Sequence, residues 1–278
     1  MIDWLLEPLR QGIVVRGVAE LVLIGVVSGG LGCWIVFSDL SYSAESLAHG
    51  MLPGLVAAGI LGLPVLLGGA VGLLVAAVAI ALVARVPRLD PGSATSVVVT
   101  TLLGFGVLLG LSPSAPAGLD GILFGDVLGV SDGDILLTAA LAVVVTGLLA
   151  LLHPSLLLVG FDRVNARALG RSPLAFDVVL ALLLALATLV AVQALGSLLV
   201  VAMLVGPAAS ARLVSRRMAP MMVLATLVAA LASVAGLWLS YHADLAAGAS
   251  VTLALGGVFL VLLAGRTTLV LARRGSAV

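Results

Sequence analysis

An all-α bundle of membrane-spanning helices is the fold class this sequence predicts, and three observations predict it. Of 278 residues, 62% are hydrophobic and only 9% are charged. Mean hydropathy is +1.34, beyond the range of a soluble domain of this length. The apolar residues also fall in runs of about twenty, the length that crosses a hydrocarbon core of roughly 30 Å. The chain therefore reads as one polytopic transmembrane domain over residues 1–278, with about nine spans (eight is the alternative count) and no room for a soluble domain.

Residues 1–12 set Trp4, Leu5 and Leu6 against Asp3, Glu7 and Arg10, which predicts a short interfacial segment and not a cleavable signal peptide. A first span follows over about 14–36. It carries Gly25, Gly29, Gly30 and Gly32, small residues that let helices approach closely. After a polar break at 38–44, a second helix bears Glu45 and His49 and ends near Gly62. Pro64 opens a third span to about residue 84, and Asp90-Pro91-Gly92 marks a turn. A fourth span covers about 94–111. An irregular stretch holding Asp120, Asp126, Asp132 and Asp134 leads to a fifth span over about 134–152. The polar loop 153–173 begins at His153 and carries Arg163, Arg167 and Arg171. The next forty positions, 174–213, are too long for one crossing and divide into two, the second expected to break at Gly206-Pro207. Spans over about 219–240 and 249–271 complete the count, joined by a short loop that includes His242 and Asp244.

The thirteen basic residues test this topology, and all are Arg. With nine spans and an extracytoplasmic N-terminus, Arg85, Arg88, Arg163, Arg167, Arg171, Arg212, Arg216, Arg217, Arg266, Arg273 and Arg274 lie on or near the cytoplasmic side. Only Arg10 and Arg16 fall outside. Flipping the chain reverses this positive-inside bias, so the C-terminus is expected in the cytoplasm.

Composition also excludes functions. Formal net charge is zero, which gives no footprint for nucleic acid. The single Cys33 rules out an internal disulfide and a cysteine metal cluster. Without any Lys, the chain cannot build the phosphate loop G-x-x-x-x-G-K-[ST]. ATP used by that route must be hydrolysed on another chain.

Two constellations carry chemistry. Glu45 and His49 stand four residues apart, hence on one face of a helix. Ionisable groups inside a membrane are costly and by default mark a substrate or ion pathway. A shared cation and a local Glu–His hydrogen bond are both open readings of the spacing. The second constellation is Phe161-Asp162-Arg163-Val164-Asn165-Ala166-Arg167-Ala168-Leu169-Gly170. Asp162 is a candidate N-cap and Gly170 a candidate C′ residue, leaving about two turns of helix between them. Such a helix suits docking to a partner, and an ordinary solvated loop helix is the alternative.

At this point the sequence resembles the membrane subunits of ABC importers for zinc, manganese or iron(II). The family's G-D-A-L-S-H-A-x-L-P-G segment is similar to Ala44-Glu45-Ser46-Leu47-Ala48-His49-Gly50-Met51-Leu52-Pro53-Gly54. Its L-F-G-x-[IL]-L segment resembles Leu123-Phe124-Gly125-Asp126-Val127-Leu128, and its D-x-x-x-A-x-x-x-G coupling segment resembles Asp162, Ala166 and Gly170 with their spacing. Pro207-Ala208-Ala209 and Ser240-Tyr241-His242-Ala243-Asp244-Leu245 resemble two further family segments, in order. The chain departs from the pattern where Glu45 replaces the usual Asp and Ala48 the usual Ser. It also lacks the prolines that often follow Asp244-Leu245. These departures bear on the choice of metal more than on the family.

The resemblance implies a bacterial inner or plasma membrane permease, itself not an enzyme. It implies a homodimer, with Glu45 and His49 handling the transported Mn²⁺ or Zn²⁺. Cytoplasmic ABC ATPase subunits, holding ATP and Mg²⁺, are expected on the coupling segment at about 160–172, and an extracytoplasmic metal-binding protein is expected to deliver the ion. No permanently bound cofactor is expected. Asp126, His242 and Asp244 are candidates for metal entry. Alternatives are a permease for a chelated metal, of siderophore or cobalamin type, and an ATP-independent secondary carrier. A membrane metalloprotease is disfavoured, because H-E-x-x-H is absent and three His are scattered.

Overall fold

The computed structural model describes residues 10–83, 86, 91–113 and 125–275, and among these every regular element is a helix. In chain order they are α1 (Gly12–Phe37), α2 (Ser41–Gly50), α3 (Leu52–Leu61), α4 (Val65–Val83) and α5 (Pro91–Gly110). Then come α6 (Asp132–Phe161), α7 (Arg163–Ala168), α8 (Pro173–Val214), α9 (Met218–Ala243) and α10 (Ala247–Gly275). Among the described residues seven helical stretches are long and apolar enough to cross a membrane: Gly12–Phe37, Ala44–Leu61, Gly92–Gly110, Asp132–Phe161, Pro173–Ser197, Met218–Ala243 and Ala247–Thr268. Two shorter apolar helices, Val65–Ile80 and Leu199–Val214, accompany them.

The bundle is organised around α1, which packs against α9, α8 and α6. The approach is close because α1 presents glycines to its neighbours. A Cβ at Gly25 would stand 3.1 Å from the Ala229 Cβ, one at Gly29 would strike the backbone of Thr226, and one at Gly32 the carbonyl of Leu204. Without a solvent-driven hydrophobic force in lipid, this backbone-to-backbone packing is what holds helices together. Leu21, Leu31, Trp34 and Ile35 of α1 join Leu149, Leu184, Met203 and Leu204 in the buried centre.

The two ends of the bundle differ in charge. At one end Arg16 Nε pairs with Asp132 Oδ1 at 3.0 Å, and Gln11 Nε2 donates to the Tyr241 hydroxyl at 3.1 Å. This gathers the starts of α1 and α6 with the end of α9, and Asp126, Asp134 and Asp244 lie nearby in chain. At the other end Trp34 meets His153 with ring centroids 5.6 Å apart, and Phe37 meets Phe161 at 5.2 Å. The rings of Phe37, His153 and Phe161 share a cavity with Arg212, Arg216 and Arg217. Arg163 and Asp177 make a two-pronged ion pair at the same end, 2.9 Å on each arm.

Several expectations are corrected. The fifth span does not end at 152: α6 continues through Pro154 to Phe161, so His153 is a helix residue and not the start of a loop. The apolar run Leu156-Leu157-Leu158-Val159 explains this, since Leu156 and Val159 are buried, and neighbouring helices tolerate a proline in such a segment. The break in α8 lies at Gly196 (φ 74°, ψ 163°), and Pro207 sits inside a continuing helix. There the chain folds back, because Asp177 and Arg212 belong to the arginine end while Gln193 and Ala194 line a cavity at the acidic end. Only glycine adopts that backbone readily. Pro207 is tolerated because the following turn is packed on small residues, with Ala208 and Ala211 fully buried beside Cys33. His242 likewise lies in the last turn of α9 and not in a loop. The expectations for residues 1–9, Arg85, Arg88, Asp90, Asp120, Leu123 and Phe124 fall outside the described residues.

Candidate functional site

Helices α2 and α3 form one nearly continuous rod from the arginine end, with a hitch at Met51. Its small residues fix which way it faces. Ala44, Ser46 and Ala48 are buried, and Gly50 presses on Ala76 of α4 at the distance of a missing Cβ. Ser46 Oγ donates to the Tyr42 carbonyl at 2.8 Å, and the Tyr42 hydroxyl is hydrogen-bonded to Ser96, tying α2 to α5. That packing turns Glu45 outward, exposed, with His49 half-buried one turn later. At 1.5 Å per residue the two stand about 6 and 12 Å along the axis from Ser41.

His49 lies within electrostatic reach of Glu45. Its Nδ1 is buried and has no hydrogen-bond partner among the described residues. A buried imidazole nitrogen of this kind can be satisfied by a water, an ion or a group from another chain. No three His, Cys, Asp or Glu among the described residues come together to hold a metal ion. One chain thus offers two donors here, and a first coordination sphere of four or more needs others.

The capped segment folds as its sequence predicts. Asp162 Oδ1 accepts from the Val164 and Asn165 amides at 3.0 and 2.8 Å. At the far end Gly170 has φ 75°, its N–H donates to the Arg167 carbonyl at 3.0 Å, and Arg171 N–H donates to the Ala166 carbonyl at 2.9 Å. This is a Schellman C-cap, in which the left-handed glycine satisfies carbonyls the helix leaves open. Ala166 is buried beneath α7, while Phe161, Val164 and Leu169 are more than half exposed around it. Arg163, Arg167 and Arg171 stand exposed around these apolar side chains.

The remaining candidates separate. Asp126 accepts from the Gly129 amide at 2.9 Å and holds the turn that precedes α6. Gly125, at φ 78°, abuts Ala194 and Leu195 at the fold-back of α8, where any side chain would collide. The ring of His242 packs on Trp238 at 4.4 Å and on Tyr241 at 5.1 Å. Asp244 caps α9 in a left-handed conformation, exposed. The structure brings neither of these to Glu45 and His49.

One residue escaped the sequence reading. Glu20 lies about two turns into α1, only 2% exposed. Thr138 Oγ1 donates to its Oε1 at 2.6 Å, and its Oε2 is buried without a partner among the described residues. A carboxylate inside the predominantly apolar first span, one turn after Arg16, was the signal available.

The family model described as "ABC 3 transport family" matches residues 11–266. The chain is 34% identical over 240 residues to the "Manganese transport system membrane protein MntC" of Listeria monocytogenes, covering 86% of each. It is 30% identical over 249 residues to the "Chelated iron transport system membrane protein YfeC" of Yersinia pestis, covering 89% of this chain and 84% of that one. Among solved structures it superposes on a chain of "PsaBC from Streptococcus pneumoniae in complex with Fab" with a TM-score of 0.86 and 30% identity, covering 94% and 95% of the two chains.

Proposed function

Because the chain belongs to the ABC 3 transport family, we propose that it is the permease subunit of an ATP-driven importer of a divalent transition metal, manganese or zinc. The observation that carries the reading is the exposed Glu45 beside the half-buried His49, on a helix apolar enough to cross the membrane. A carboxylate turned toward lipid costs about 3 kcal/mol or more. That cost disappears if the face is covered by a second copy of the chain enclosing a polar path. Two copies would set two carboxylates and two imidazoles about one axis, a donor set that suits Mn²⁺ or Zn²⁺.

All nine apolar segments cross the membrane in this reading, with the acidic end extracytoplasmic and the arginine end cytoplasmic. An extracytoplasmic binding protein releases the ion at the acidic end. ATPase subunits seat on α7, and closure of their dimer moves that rigid helix and shifts the access of Glu45 and His49 from outside to inside. The chain itself performs no hydrolysis. The name of the Yersinia pestis relative favours one second reading, a chelated-iron substrate. A chelate brings its own ligands, so Glu45 and His49 would then be dispensable.

Uptake of radiolabelled Mn²⁺ and Zn²⁺ by cells carrying the permease, its ATPase and its binding protein separates these readings. Uptake of one ion that requires both an active ATPase and His49 is the expected result. Normal uptake by His49→Ala at matched membrane level would transfer the assignment to a chelate.

A further inference from the structure

The acidic end of the bundle holds a cavity of about 320 Å³ bordered by Glu20, Leu55, Val65, Asp126, Asp134 and Gln193. Among the described residues no arginine or histidine borders it. The closest cation in sequence, Arg16, lies one turn before Glu20 and is committed to Asp132. Asp134 is near enough to Glu20 for their like charges to act on one another. Its Oδ2 accepts from the Ser131 amide and hydroxyl at 3.0 and 2.6 Å, a capping box that fixes it at the cavity edge.

Glu20 is the decisive member. Thr138 fixes one of its oxygens, and the other, Oε2, is buried with no protein partner among the described residues. Neither protonation state satisfies that atom: an acid would hold a proton without an acceptor, and a carboxylate would hold an unpaired charge. A cation bearing its water shell resolves both problems, since its waters donate to Oε2 while its charge offsets the repulsion between Glu20 and Asp134. Three carboxylates within ligand distance of one point are not assembled among the described residues, which suits outer-sphere contact through water over direct ligation. At roughly 30 Å³ per water, the volume accommodates a full hydration shell. Leu55 lies six residues beyond His49 along the α2–α3 rod, about 9 Å at the helical rise.

We infer that Glu20, with Asp134 and Asp126, forms a receiving site for a hydrated divalent cation, within a single chain and one step outside Glu45 and His49. The inference rests on the metal-import reading and assigns one ion to each chain in addition to the ion shared at Glu45 and His49. Mn²⁺ is the probe for the test, on the permease–ATPase complex in lipid nanodiscs, with bound ion counted from the loss of the free Mn²⁺ resonance. Glu20→Gln keeps the acceptor for Thr138, and Asp134→Asn keeps an acceptor for Ser131, so both variants retain the local hydrogen bonds. Each is expected to bind one Mn²⁺ fewer per chain and to raise the Mn²⁺ concentration for half-maximal uptake about tenfold, with the maximal rate little changed. His49→Ala is expected to keep the Glu20-dependent ion while losing transport. If His49→Ala transports normally but still loses an ion on addition of Glu20→Gln, the reading of His49 fails and the receiving site stands. Binding and half-saturation unchanged in both Glu20→Gln and Asp134→Asn, at wild-type thermal stability, would overturn the receiving site.

Discussion

Glu45 and His49 are two side chains whose neighbours do most of the work of placing them. Alanine, serine and glycine at 44, 46, 48 and 50 let α2 press against α4, α5 and α8, and that contact turns the carboxylate outward. Losing one of so few donors is expected to reduce uptake on the order of a hundredfold, as large as the greater effects of altering metal-site partners. In the same uptake measurement Glu45→Asp, which retains the charge, is expected to keep transport and change the ratio of Mn²⁺ to Zn²⁺, whereas Glu45→Gln is expected to abolish it. The pair was legible in the sequence because its i, i+4 spacing interrupts an apolar chain. Glu20 was harder to read. A single acid in a span announces no partner, and Thr138, which holds it, lies 118 positions away.

At the scale of the element, α7 shows how much local sequence can determine. A two-turn helix is too short to persist through propensity alone, and both of its ends are closed by specific bonds from Asp162 and around Gly170. Asp162→Ala is expected to cost about 1 kcal/mol of local stability. Gly170→Val, forcing a branched side chain into the left-handed region, is expected to cost more than Asp162→Ala. Hydrogen exchange across 163–168 should accelerate in both, and co-purification of the ATPase should fall while the apolar helices stay protected. Unchanged exchange would show that the caps are dispensable. These caps were readable because they depend on residues within nine positions. The course of α6 and α8 was not. Pro154 and Gly206-Pro207 carry the local marks of a break, yet the helix runs on through each, packed near Trp34 and Phe37 in one case and near Cys33 and Met221 in the other. Gly196, an unremarked glycine in an apolar run, is where the chain turns.

At the scale of the whole molecule, the sorting of charge to opposite ends was visible in the order of Arg and Asp alone, because the bilayer length forces a crossing every twenty residues or so. The central role of α1 was not, since which helices touch depends on glycine faces whose partners lie far along the chain. Orientation is open to direct measurement. Cys33 is fully buried and is replaced by Ser in the labelling background. In intact cells a membrane-impermeant maleimide is expected to react with Asp244→Cys, and with Arg167→Cys only after permeabilisation. The reverse pattern would invert the assignment of the two ends.

The central claim is that His49 ligates the transported ion itself. Pulsed electron paramagnetic resonance on Mn²⁺ held by the permease–ATPase complex tests it most directly, because imidazole nitrogen bonded to Mn²⁺ modulates the echo. The chain has three His, so the source of such a signal can be assigned by substitution. The account predicts nitrogen modulation in the wild type that is lost in His49→Ala and retained in His153→Ala and His242→Ala. Modulation that survives in His49→Ala, or is missing from a wild-type complex with Mn²⁺ bound, would contradict it.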